Sequence, residues 1–144
     1  MSIISSYSTK IRVAPRSARG SGSKTDPTWQ LLHEAVMAAA EELGGEVGAE
    51  VSDYNGATRS CDFSVSTPEF PRGVGIAVSP SGEVRFVYDS YGGYKRHAQR
   101  VCDLITQHYT TLAVTRALRA LNYEVDIAET TQGSERRVLV TGVL

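Results

Sequence analysis

Residues 73–111 read GVGIAVSPSGEVRFVYDSYGGYKRHAQRVCDLITQHYTT, and this stretch decides the fold. Val74, Ile76 and Val78 alternate with small residues, and Val84, Phe86 and Tyr88 alternate with Glu83, Arg85 and Val87, the period-two pattern of strands buried on one face. Between them, Ser79-Pro80-Ser81-Gly82 has the chemistry of a tight turn, since proline fixes one φ and glycine accepts a positive one. The two runs therefore predict a hairpin. Past Tyr88 the period changes: Asp89-Ser90-Tyr91-Gly92-Gly93 makes a corner, and Val101, Leu104, Ile105, His108 and Leu112 recur at helical spacing.

Working back toward the N-terminus, Tyr7, Thr9, Ile11 and Val13 alternate in a first strand that ends at Ala14-Pro15. Residues 14–25, APRSARGSGSKT, bury too little apolar area to offset the entropy of ordering and are expected to form a flexible loop. Asp26-Pro27 marks a helix start, with the carboxylate as cap and proline in the first turn. Leu32, Ala35, Val36, Ala39 and Leu43 then share a face, and Gly44-Gly45 ends the helix. Val47, Ala49 and Val51, then Phe63 and Val65, predict two strands joined through Asn55-Gly56. Pro68 and Pro71 make residues 67–72 a connection.

Toward the C-terminus, the second helix is expected to run to about Leu121, bent or repacked near Thr110-Thr111, with Asn122 as its stop. Tyr123, Val125 and Ile127 alternate, Gln132-Gly133 marks a turn, and Val138-Leu139-Val140 is expected to close the sheet. The order predicts an α+β fold in one domain of residues 1–144: a mainly antiparallel twisted sheet of six to seven strands with two helices packed on one face. Without residues 74–78 the pattern is a β-α-β-β unit used twice, in residues 3–66 and 83–143. The other sheet face is left to solvent or to a partner.

Composition narrows the function classes. Fifteen basic and sixteen acidic side chains give a formal charge of −1, which argues against a protein built as a whole to hold nucleic acid or anionic membrane. The start, Met1-Ser2-Ile3-Ile4, lacks the charged and apolar regions of a signal peptide, and no window has the apolar length of a membrane span, so a cytoplasmic protein is expected. Cys61 and Cys102 have neither metal-ligand spacing nor the density of a disulfide scaffold, and small buried hydrophobes are the expected roles. His97 and His108 stand eleven residues apart, about 16 Å along a helix and too far to share a metal; His33 carries no motif. No cofactor is implied.

One cluster stands out. Tyr88, Asp89, Tyr91, Tyr94, Lys95, Arg96 and His97, with Arg100 behind them, gather hydroxyls, a carboxylate and cations where a helix begins, a place suited to an anionic small molecule or nucleotide. The plain structural alternative has Asp89 or Ser90 capping the helix, the tyrosines covering a sheet edge and the cations solvated. A second basic group, Arg16, Arg19 and Lys24 beside Arg12, offers a flexible contact for nucleic acid or an acidic protein, and otherwise a solvated insertion. The carboxylates Asp53, Asp62, Asp89, Asp103 and Asp126 are scattered, and no pair is spaced for acid/base catalysis.

Five segments together carry a family resemblance: MSIISSYSTKI, the VSDYNG turn, the GIAVSPSGEVRFVYDSYG hairpin and corner, the LITQHYTTLAV helix and the ending NYEVDIAETTQGSERRVLVTGV. In their order and spacing they resemble the Ycf35 family, the DUF1257 domain of bacteria and algal plastids, across nearly the whole chain. Two departures stand out: residues 14–27 look like an insertion, and Ser90-Tyr91 replaces a tryptophan-rich corner. The family has no established activity, and its genes lie near those of AAA-type ATPases in some bacteria. The resemblance thus implies a non-enzymatic accessory protein that binds a protein partner, an AAA-type ATPase among the candidates, through its sheet face or an edge strand. An anion site at the corner and a nucleic-acid contact through the basic loop are the alternatives.

Overall fold

The computed structural model describes residues 2–14, 26–133 and 135–143. Its elements follow one another as β1 (Ile4–Arg12), α1 (Pro27–Glu42), β2 (Glu46–Ser52), β3 (Thr58–Ser66), β4 (Val74–Val78), β5 (Glu83–Asp89), α2 (Lys95–Ala120), β6 (Glu124–Gln132) and β7 (Glu135–Val143). The class is α+β, with helices packed on an antiparallel sheet.

The hairpin read from residues 73–111 sits at the centre. β4 and β5 pair antiparallel, with Ile76 opposite Phe86 and Val78 opposite Val84, so their apolar residues share one face. Gly82, at φ 90°, makes the connecting turn, and its carbonyl receives the N–H of Val13 at 2.9 Å. A side chain there would collide with the Val13 carbonyl, which leaves glycine as the residue that fits. β1 adds to the free side of β5, and β3 then β2 add to β4, giving the order β1-β5-β4-β3-β2.

Both helices cover the apolar face. Asp26 caps α1 as expected, its Oδ1 accepting from the N–H groups of Thr28 and Trp29 with Pro27 in the first turn. Leu32, Val36 and Ala39 of α1 and Ala98, Val101, Cys102 and Ile105 of α2 pack into one core with Val65, Phe70, Val74, Ile76, Val84 and Phe86. α2 is a single unbroken helix, and Asn122, at φ 67°, stops it.

Two features differ from the sequence reading. The seven strands do not form one sheet: among the described residues, β6 and β7 pair only with each other. At 26 residues α2 is about 39 Å long, and beyond Ile105 its one buried residue is Thr115. The chain therefore leaves α2 far from the strand edges and runs back along the helix, where Leu118 and Tyr123 cover Gly142. The open sheet face is also partly covered. The register of β2 with β3 breaks between Gly48 and Glu50, and the distal end of this hairpin folds over the back of β4. There Val51 is buried against Gly73 and Gly75, whose missing side chains make room for it, and Cys61 lies on Gly75.

Candidate functional site

The corner between β5 and α2 is built around Asp89, which is 2% exposed. Its Oδ1 accepts the N–H groups of Ile3 (2.8 Å) and Tyr91 (3.0 Å), and its Oδ2 accepts that of Tyr54 (2.7 Å). Burial pushes this carboxyl up, but the N–H groups of Tyr91, Ile3 and Tyr54, with the Ser2 hydroxyl, together outweigh it and hold the pKa at about 2. Asp89 thus ties the N-terminus, the β2–β3 turn and the corner together. It does not cap α2.

Arg72 completes this cluster. Its guanidinium lies over the rings of Tyr94 (4.9 Å) and Tyr54 (5.5 Å), donates to the Asp89 carbonyl at 3.1 Å and stands 3.6 Å from the Asp89 carboxylate. Tyr54 meets Tyr91 edge to face at 4.4 Å, and Tyr94 packs on Phe70. The sequence reading missed both Arg72 and Tyr54. Arg72 sits in a proline-bounded connection and Tyr54 in a turn, where no periodicity marks a side chain that folds back over the sheet.

The remaining corner residues go separate ways. Tyr88 is buried in the core, where desolvation raises its hydroxyl. His97 lies 3.3 Å from Glu69, with Arg100 3.9 Å from the same carboxylate. Lys95 and Arg96 are exposed in the first turn of α2, which has no side-chain cap and no acidic residue. The basic residues Arg16, Arg19 and Lys24 lie outside the described residues.

A second cluster joins both helices to the C-terminal hairpin. Arg136 of β7 reaches Glu42 at the end of α1 (2.5 Å) and Glu129 of β6 (2.9 Å), while His108 of α2 stands 3.5 Å from Glu42. The Glu42 carboxylate is the main cause that raises the Arg136 pKa, and burial opposes it. Arg116 of α2 pairs with Glu34 of α1 farther along. Beside this cluster a cleft of about 770 Å³ opens between the hairpin tip and α2, where Arg96, Arg100 and Arg136 face Glu42, Asp103 and Glu135. Charges of both signs line it, so no single field concentrates there. Cys61 and Cys102 are not joined in a disulfide, and burial raises the thiol pKa of Cys61.

The apolar surface gathers elsewhere. Of the nine large hydrophobic side chains left exposed among the described residues, five belong to the end of α2 and the hairpin: Val114, Leu121, Ile127, Leu139 and Val143. Leu121 is 66% exposed and Leu139 65%. No family model matches the chain, and neither a curated protein nor a solved structure matches it.

Proposed function

We propose that this chain is a non-enzymatic accessory protein of the Ycf35 type that binds a protein partner through its free strand edges and the apolar surface of its C-terminal arm. The observation that carries this reading is the concentration of exposed apolar side chains on an arm whose two strands pair only with each other. The sheet face carries less of the binding, because the β2–β3 hairpin already covers part of it. An AAA-type ATPase is the partner class the family resemblance points to.

The test is capture on the tagged full-length chain at near-physiological salt, beside a variant with Leu139→Asp and Ile127→Asp. A stoichiometric partner on the parent, lost from the variant at unchanged melting temperature, supports the reading. Equal capture by both chains, or none by either, contradicts it.

The uncapped first turn of α2, with Lys95 and Arg96 exposed and without an acidic neighbour in that turn, favours a second reading: an anionic small molecule or nucleotide at the corner. Tyr88 and Asp89 are spent on the core, so such a ligand rests on Lys95, Arg96 and the free N–H groups. A phosphate compound that raises the melting temperature of the parent, but not of Lys95→Ala with Arg96→Ala, is the expected mark; an equal rise in both sinks this reading.

A further inference from the structure

Four strands of the molecule have an outer edge without a strand partner among the described residues: β1, β2, β6 and β7. Unpaired edges invite association, and natural sheets blunt them with charges or irregularities. On β1 the register breaks between Ser8 and Arg12, and Lys10 and Arg12 sit at that end. On β2 it breaks between Gly48 and Glu50, with Glu46 and Glu50 along the strand. β6 carries Glu124, Asp126 and Glu129. β7 has no such protection after its first turn of charge: its register with β6 is unbroken from Glu135 to Val143, and residues 138–143, VLVTGV, contain neither charge nor proline. A six-residue uncharged run with four β-branched residues on a free edge is the pattern that pairs with another strand.

The edge groups can be placed. The carbonyl of Arg136 accepts from Gln107 Nε2 at 3.2 Å, so Arg136 directs its backbone outward, and by the alternation of an antiparallel ladder Val138, Val140 and Gly142 do too. Gln107 occupies the edge at Arg136; the run beyond it is open to pairing.

We propose that this edge of β7 pairs antiparallel with the same edge of a second copy of the chain, Val140 opposite Val140, to make a continuous four-stranded sheet across a two-fold axis. The inference rests on the reading of the arm as an interaction surface and names its occupant. Charge selects a second copy and this edge. Pairing β6 with β6 would bring three carboxylates from each chain together, whereas in the β7 register Val138 faces Gly142 and Leu139 faces Thr141, uncharged against uncharged. Arg137, exposed, falls opposite the second copy's Val143, and Val143 is the cross-strand partner of Glu124. Two strand spacings, about 10 Å, then separate Arg137 from the second copy's Glu124 on one face, within reach of two extended side chains. The register also closes, since a two-fold contact uses the same patch on both copies.

Sedimentation of the full chain over a range of concentrations tests this. The expected mass rises from 15.6 kDa to twice that value. Val140→Pro removes an outward N–H that β6 does not use and holds the chain at the monomer mass. Arg137→Glu weakens association about tenfold by setting two carboxylates against each other, and adding Glu124→Arg restores it, which keeps the test open should the proline variant not fold. A monomer at every concentration overturns the proposal, as does a dimer that survives both Val140→Pro and Arg137→Glu. A monomer that still captures a different protein through Leu139 refutes self-pairing alone and leaves the accessory reading standing; a monomer that captures nothing removes both.

Discussion

The five-stranded sheet and the C-terminal arm are made from the same kinds of residue and reach opposite ends. Every buried hydrophobic residue among those described lies between Ile11 and Ile105; beyond Ile105 the one buried residue is polar, Thr115. In the sheet, Val, Ile and Phe on one face are sealed by two helices. In the arm, β7 alternates just as regularly while β6 is exposed along most of its length; α2 lies beneath the pair, and their attachment adds the ion pairs of Arg136 and a bond from the Gln107 side chain to the backbone. A two-stranded hairpin is marginal by itself. Alternation marks a strand; a second layer makes it core. The arm lacks that layer on one side.

Substitutions in the two regions should separate sharply. Phe86→Ala, at a site 1% exposed in the sheet, is expected to cost about 3–5 kcal/mol in denaturant unfolding, while Leu139→Ala costs under about 0.5 kcal/mol in the dilute monomer. Equal losses would erase the contrast.

Asp89 sharpens the sheet side. Its folded pKa of about 2 lies below the ordinary 3.8, so its contribution is complete above pH 4 and is lost as pH falls toward 2. The difference corresponds to about 2 kcal/mol, a size that suits a nearly fully buried group. Asp89→Asn should remove that much at neutral pH and flatten the acid limb of the stability curve between pH 4 and 2; an unchanged limb would mean that the three N–H bonds do not hold the carboxylate. Arg136→Met should also have only a small global effect. Its partners are partly solvated, so the cost is about 1 kcal/mol or less, and it should appear as faster amide exchange confined to β6 and β7.

Much of this was legible in the sequence because it is local. The β4–β5 hairpin, the Asp26-Pro27 helix start, the Asn55-Gly56 turn and the stop at Asn122 each follow from a few neighbouring residues, and each stands in the structure. What escaped depends on distance along the chain. Val138-Leu139-Val140 reads as a closing strand, yet whether it joins the sheet is decided by how far α2 carries the chain, which no local pattern encodes. Asp89 looks like a helix cap from its position before α2; the N–H groups that claim it come from Ile3 and Tyr54, far away in sequence. Arg72 drew no notice because its two tyrosines meet only after the β2–β3 hairpin bends over the sheet. At the corner, Lys95 and Arg96 stand exposed while Tyr88 and Asp89 are buried.

The most direct measurement of the central claim is amide exchange in the arm as a function of protein concentration. The outward-facing N–H groups of Val138, Val140 and Gly142 are expected to exchange quickly in dilute solution and gain protection as concentration rises, while the amides of β4 and β5 stay protected throughout. Rapid exchange of those three amides at every concentration, with and without a captured partner, would contradict it.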